Sequence, residues 1–233
     1  MSNILQKGET GFGILIESDS GYISRDLNPQ FLTEGFIVKP NEPVLINCIL
    51  QKWGVKNKNG RIYPKDVLLP QVIEYQKLVD TNCAISEADH PDSSVVSLQN
   101  LSHMITKMWW GTGDQENVLY GELKILVTRG YANLGICSVI GDKIAFYLEN
   151  KIKLGISSRG VGTLKEINGE NYVQNDFELI GFDLVSSPST PGAYLFPIKN
   201  GEKGFAENYI NKNGIYLKEE NNKLLSAIDY FLL

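Results

Sequence analysis

Histidine is nearly absent: the chain of 233 residues holds only His90 and His103. Any mechanism that needs an imidazole base near neutral pH must use one of them. Cysteine is almost as rare. Cys48, Cys83 and Cys137 are odd in number and far apart, which argues against a disulfide framework and for reduced thiols in a cytosolic setting. No two of them stand at the spacing of a paired-cysteine zinc site. No apolar run approaches the roughly 20 residues that span a bilayer, and the opening MSNILQKGETG lacks the apolar core of a secretory signal. The sequence therefore predicts no membrane partner. An excess of basic residues is missing too. Twenty-two Lys and Arg stand against 27 Asp and Glu, giving a formal charge of -5. A duplex-binding domain carries a basic face, so nucleic acid is a poor direct partner. There is no internal repeat and no low-complexity block.

What is present suits one domain with tails. Hydrophobic residues make up 42% of the chain, enough for a core of ordinary size. The expected division is an N-terminal tail over 1–9, a domain over 10–198 and a polar C-terminal tail over 199–233, with a short helix at Leu224 to Leu233. Strands are predicted at Gly13 to Glu17, Phe36 to Val38 and Val44 to Gln51, from their β-branched and aromatic content. Asn59-Gly60 marks a tight turn. Apolar spacing predicts a helix over Lys65 to Asp80, broken or restarted by Pro70. Leu101 to Trp110 and Val118 to Val127 read as strands joined by a turn over Gly111 to Asn117. Asp142 is placed to cap a helix running to about Lys153, with Gly155 ending it. Ile156 to Leu164 and Asn171 to Val185 read as extended, and Ser186 to Gly192 breaks the pattern. The sum is a strand-dominated α+β chain with a closed or nearly closed sheet.

Three segments carry chemistry. Asp89-His90-Pro91 holds one of the two histidines before a proline, which restricts His90 to extended geometry. From this tripeptide alone, a surface turn with an incidental histidine is the commoner outcome. Gly155-Ile156-Ser157-Ser158-Arg159-Gly160 places two serines among small residues. A serine hydroxyl needs a neighbouring base to attack a carbonyl. Strand alternation allows only one of the pair to face a given cleft. The segment matches neither the phosphate-binding Gly-Lys-Ser/Thr pattern nor the Gly-x-Ser-x-Gly elbow. Asp183 is a lone acid in the apolar stretch Phe177 to Val185. It either orients an imidazole or faces water at a sheet edge. Base, nucleophile and acid thus occur in the order His, Ser, Asp.

Several blocks together resemble the prohead core proteases of T-even-type tailed phages. They are Asn57-Lys58-Asn59-Gly60-Arg61-Ile62-Tyr63-Pro64, Ser86-Glu87-Ala88-Asp89-His90-Pro91 and Met108-Trp109-Trp110. Gly155-Ile156-Ser157-Ser158-Arg159-Gly160 and Gly181-Phe182-Asp183-Leu184-Val185 follow in family order. One block departs from the family pattern. Ser86 and Ala88 replace the usual glycine and leucine before the histidine.

The resemblance implies an assemblin-like capsid protease fold, a β-barrel with surrounding helices. It implies His90 as base, Ser157 as nucleophile and Asp183 as third member, with His103 as the competitor for that place. Ser158, Arg159 and Gly192 are support or oxyanion candidates. No cofactor and no metal are implied. The implied substrates are scaffold and core proteins, the major capsid protein and the protease itself, cut after glutamate inside a procapsid assembled in the host cytoplasm. Self-association is a further expectation. Leu217-Lys218-Glu219 in the tail is the self-cleavage candidate, with Leu32-Thr33-Glu34 and Leu164-Lys165-Glu166 matching the same pattern. The rivals are a non-catalytic capsid or tail component, an aromatic binding platform at Trp109 and Trp110, and, more remotely, a metal hydrolase.

Overall fold

A computed structural model describes residues 13–16, 36–91 and 93–197. The tails, the helix expected at 224–233 and the cleavage candidates at 32–34 and 217–219 lie outside the described residues.

Eleven strands among the described residues form three sheets. The first joins β1 (Gly13–Ile16), β7 (Gly155–Gly162) and β10 (Glu178–Val185), with β7 central and both neighbours antiparallel to it. The second, of five strands, runs in the order β11 (Leu195–Pro197), β2 (Val44–Lys52), β6 (Val118–Ile125), β5 (Leu101–Trp110), β4 (Ile85–Glu87). The third is small: β3 (Arg61–Ile62), β9 (Glu170–Val173) and β8 (Leu164–Ile167).

The expected barrel does not close among the described residues. The first and second sheets touch at two corners through single bridges, Gly155 to Tyr194 and Ala88 to Leu184. The second corner stays open because β4 is only three residues long and the chain then peels away as a loop. That loop carries His90.

The helices depart instructively from expectation. α1 (Lys65–Asp80) is unbroken, although Pro70 lies within it. A helix-interior proline costs about 3 kcal/mol. Val67, Leu68, Val72, Tyr75 and Val79 are buried along α1, each contributing roughly 1.5–3 kcal/mol. Burial outweighs the lost hydrogen bond. Tyr75 meets Phe182 of β10 edge-on, with ring centroids 5.3 Å apart. A short helix, α2 (Arg129–Leu134), precedes α3 (Ile140–Glu149). Asp142 lies inside α3 and not at its cap. Its carboxylate reaches back to the backbone N–H groups of Ser138 and Val139 and to both donors of Thr128. α3 stops before Gly155, at Glu149, and Lys151 takes the left-handed conformation (φ 61°) that a glycine would favour there. The Ile152 N–H then closes back on the Tyr147 carbonyl at 2.8 Å. Phe36 to Val38 is not a strand, and the Val38 N–H is held by the Glu149 carboxylate.

β7 is buried along its whole length. A strand buried on both faces usually consists of large apolar residues; this one uses small residues to admit close neighbours. A Cβ on Gly155 would lie 2.4 Å from the Pro188 ring, and one on Gly160 would lie 2.3 Å from the Phe177 ring. Gly155→Ala should therefore destabilise the fold by about 1–3 kcal/mol. Calorimetry should show a melting midpoint lower by about 2–4 °C for each kcal/mol lost.

Candidate active site

In the β7–β10 pair, Ser157 is directly opposite Asp183, and Ser158 is opposite Phe182. Opposed residues share a face. Ser157, Arg159 and Asp183 therefore lie on one face. Ile156, Ser158, Phe182 and Leu184 lie on the other, where the core is. The two adjacent serines thereby stand in different surroundings. The Ser158 hydroxyl accepts a hydrogen bond from Gln51 of β2 at 2.8 Å, and the Gln51 carbonyl accepts one from Thr190 at 2.7 Å. This chain ties β2, β7 and the loop after β10 together inside the core.

His90 reaches the Ser157 face from the loop after β4. Asp89 has φ 62°, a conformation that an aspartate tolerates, and its N–H donates to the Leu184 carbonyl at 2.8 Å. The chain turns there and sends the imidazole back onto β10. His90 Nδ1 lies 2.8 Å from Asp183 Oδ2, and the two side chains are 4% and 0% exposed. With Nδ1–H donating to the carboxylate, Nε2 is left as the acceptor. Nε2 is buried without a hydrogen-bond partner among the described residues, so it makes no bond to the Ser157 hydroxyl here. Ser157 itself is fully buried.

The Asp183 carboxylate is held from three sides. Arg159 Nε lies 2.8 Å from Oδ2, Arg159 Nη2 donates to Oδ1 at 3.2 Å, and the Glu87 N–H donates to Oδ1 at 3.2 Å. Arg159 is completely buried. Its remaining bonds go to Glu87 Oε1 and to the Ser93 carbonyl. Arg159, which follows the two serines in sequence, is thus turned to carboxylates and not toward an open cleft. Glu87 stands in one of the sequence blocks, but its spacing signals no role there. Gln51 and Thr190 carry no local signal at all, because their contacts span more than 100 residues.

His103, the competitor for the third place, has no contact with His90. It lies in β5, fully buried, with Nε2 on the Phe182 carbonyl and Nδ1 on the Ser102 hydroxyl, each at 2.8 Å. Gly192 (φ 80°) lies in the loop after β10, and the neighbouring Ala193 carbonyl accepts from the Ile156 N–H at 2.9 Å. That brings the loop alongside Ser157. Trp109 is buried and stacked on Tyr120, and Trp110 packs against the main core, so they form no platform. Leu164 to Glu166 lies in β8, hydrogen-bonded to β9. Among the described residues, no three His, Cys, Asp or Glu side chains converge as a metal site. No helix among them is long and apolar enough to cross a membrane.

The fold is strand-rich α/β and brings an imidazole onto a buried carboxylate that is paired in register with a serine. The chain belongs to the prohead core protein serine protease family, whose model matches residues 32–203. It is 31% identical over 175 residues to the prohead core protein protease of Enterobacteria phage T4, covering 74% of this chain and 77% of that one. Its fold is similar to that of the bacteriophage T4 capsid assembly protease, gp21, with a TM-score of 0.60 and 27% identity. That match covers 76% of this chain and 99% of the other. The protein is a protease of the capsid maturation class.

Burial of His103 holds its pKa down at about 4, against smaller opposing effects of the Phe182 carbonyl and the Asp183 charge. The folded ring stays neutral where the unfolded one, near 6.5, takes up a proton. Its contribution is complete above pH 6.5 and is lost as pH falls toward 4, a change on the order of 3 kcal/mol. Urea midpoints followed from pH 7 to 4 should fall less steeply in His103→Gln than in the parent.

Proposed function

We propose that the chain is a serine endopeptidase in which Ser157 is the nucleophile, His90 the general base and Asp183 the orienting acid. The observation that carries this reading is the 2.8 Å contact between His90 and an Asp183 paired in register with Ser157. The supporting geometry begins with Asp183, which fixes the tautomer by accepting from Nδ1–H. Nε2 is then free to accept the Ser157 proton as the hydroxyl attacks a substrate carbonyl. The imidazolium returns that proton to the leaving amine, leaving an acyl-enzyme, and a water activated by the same ring releases it. Asp183 stabilises the imidazolium without taking its proton. The reaction requires Ser157 Oγ to engage Nε2 and the buried face to admit a peptide. Backbone N–H groups near Gly192, alongside Ser157, are the oxyanion donors in this reading. Each donor lowers the barrier by about 3 kcal/mol.

The substrates, on this reading, are the scaffold and core proteins and the major capsid protein of a phage procapsid, cut after glutamate. The enzyme acts inside that particle, assembled in the host cytoplasm, on an assemblin-like arrangement of its two larger sheets. The same activity removes its own tail after Glu219. A strand-paired match such as Leu164 to Glu166 is not cut while folded, since a protease must draw its substrate out as a free extended segment.

Scaffold cleavage by the full chain tests the assignment. Ser157→Ala and His90→Ala should each lose about 10⁴-fold or more of the turnover. Ser158→Ala should keep its chemistry and lose stability of about 1–2 kcal/mol through its unpaired Gln51 partner. A fully active Ser157→Ala would end the assignment of Ser157 as nucleophile, and a parent chain that cleaves nothing would return the chain to a structural, non-catalytic reading. Mass spectrometry of the matured protein should find its C-terminus at Glu219. An intact tail in active particles would remove the self-cleavage step.

A further inference from the structure

Three carboxyl or guanidinium side chains beside His90 form a unit that the cleavage chemistry above does not use in full. Arg159 Nε lies in ion-pair contact with Asp183 Oδ2, Nη2 donates to Asp183 Oδ1 and Glu87 Oε1, and Nη1 donates to the Ser93 carbonyl at 2.7 Å. Glu87 Oε1 in turn accepts from the Ser97 N–H at 2.9 Å. Both Arg159 and Glu87 are fully buried. Ser93 and Ser97 belong to the loop that begins at Ala88 and carries His90. Arg159 is two residues beyond Ser157 on the same strand. The nucleophile's strand, the orienting acid and the base's loop are therefore connected through one guanidinium.

The charge count has a direction. Two carboxyl groups share a single guanidinium. Glu87 Oε2 is buried with no hydrogen-bond partner among the described residues, a costly arrangement for a group whose only task is structural. An imidazolium formed at His90 during attack supplies the second cation of this cluster. Preorganised charge that meets its counterpart only when the proton moves favours the transition state over the resting state.

We propose that Glu87 is a positioning residue of the cleavage reaction: through Arg159 it locks the Asp183 carboxylate and the His90 loop onto the strand of Ser157. The inference rests on the Ser157, His90 and Asp183 assignment. Glu87 touches no reacting atom and acts through Arg159 and Asp183. Its loss should leave substrate binding intact and slow the chemical step.

The test uses the full chain and a fluorophosphonate, which phosphonylates an activated serine oxygen with loss of fluoride, the proton leaving through the general base. Glu87→Gln keeps the shape and the Ser97 contact while removing the charge. Its maximal labelling rate should fall about 10–100-fold, with the half-saturating probe concentration unchanged within about twofold. With only two histidines present, the far-downfield proton signal of the His90 Nδ1–H can be assigned by comparison with His103→Gln. That signal should broaden or vanish in Glu87→Gln. Arg159→Lys keeps the buried cation and loses the fork, so it should show the same loss. The double variant should add little to either single change. A Glu87→Gln protein that labels at the parental rate, or one slowed only in proportion to its unfolded fraction with the His90 signal intact, overturns the proposal. Should Glu87→Gln fail to fold, Arg159→Lys decides by the same two readouts. Ser157→Ala separates the two levels. If it still labels, the catalytic assignment itself is wrong; if it does not and Glu87→Gln labels normally, only the role of Glu87 falls.

Discussion

The buried pair between Arg159 and Asp183 is the contact on which the rest of the site depends. A carboxylate with no access to water is unstable unless cations or donors surround it. Here guanidinium nitrogens lie close to both of its oxygens, and a backbone N–H also donates to Oδ1. Removing either partner of such a pair leaves an uncompensated charge, which is far more damaging than the pair is stabilising. The arrangement is thus specific before it is strong. It fixes one orientation of Asp183, and that orientation presents Oδ2 to His90.

Strand register supplies the rest. The single-residue stagger between Ser157 and Ser158 decides which hydroxyl lies on the face of Asp183 and which meets the core. A slip of one residue in the β7–β10 pair would exchange them. The glycines of β7 secure that register by admitting Pro188 and Phe177 at distances no side chain would allow. Packing in the core and placement of Ser157 opposite Asp183 are, in this strand, one constraint.

Much of the frame was readable in the chain itself. α1 runs over the residues its apolar spacing indicates, and β2, β5 and β6 stand close to the runs that predict them. The scarcity of histidine leaves two candidate bases, and their partners differ: His103 bonds the Phe182 carbonyl, while His90 meets the Asp183 carboxylate. Other features resisted a local reading. Pro70 does not break α1, because tertiary burial overrides its propensity. Gly155 looks like a helix terminator yet opens a strand, since Lys151 already ends α3. Closure of the sheet was overestimated, because the shortness of β4 depends on where its neighbours let it pair. Glu87, Gln51 and Thr190 are linked to the site by long-range contacts that no periodicity encodes.

The placement of Ser157 and Arg159 two positions apart on a single strand has a mechanical consequence. Bending or sliding of β7 carries both groups together, so the separation between the Ser157 hydroxyl and the Arg159 guanidinium is insulated from breathing of the surrounding sheets. What such motions can vary is how closely the His90 loop approaches β7, not the spacing of the two groups on the strand itself.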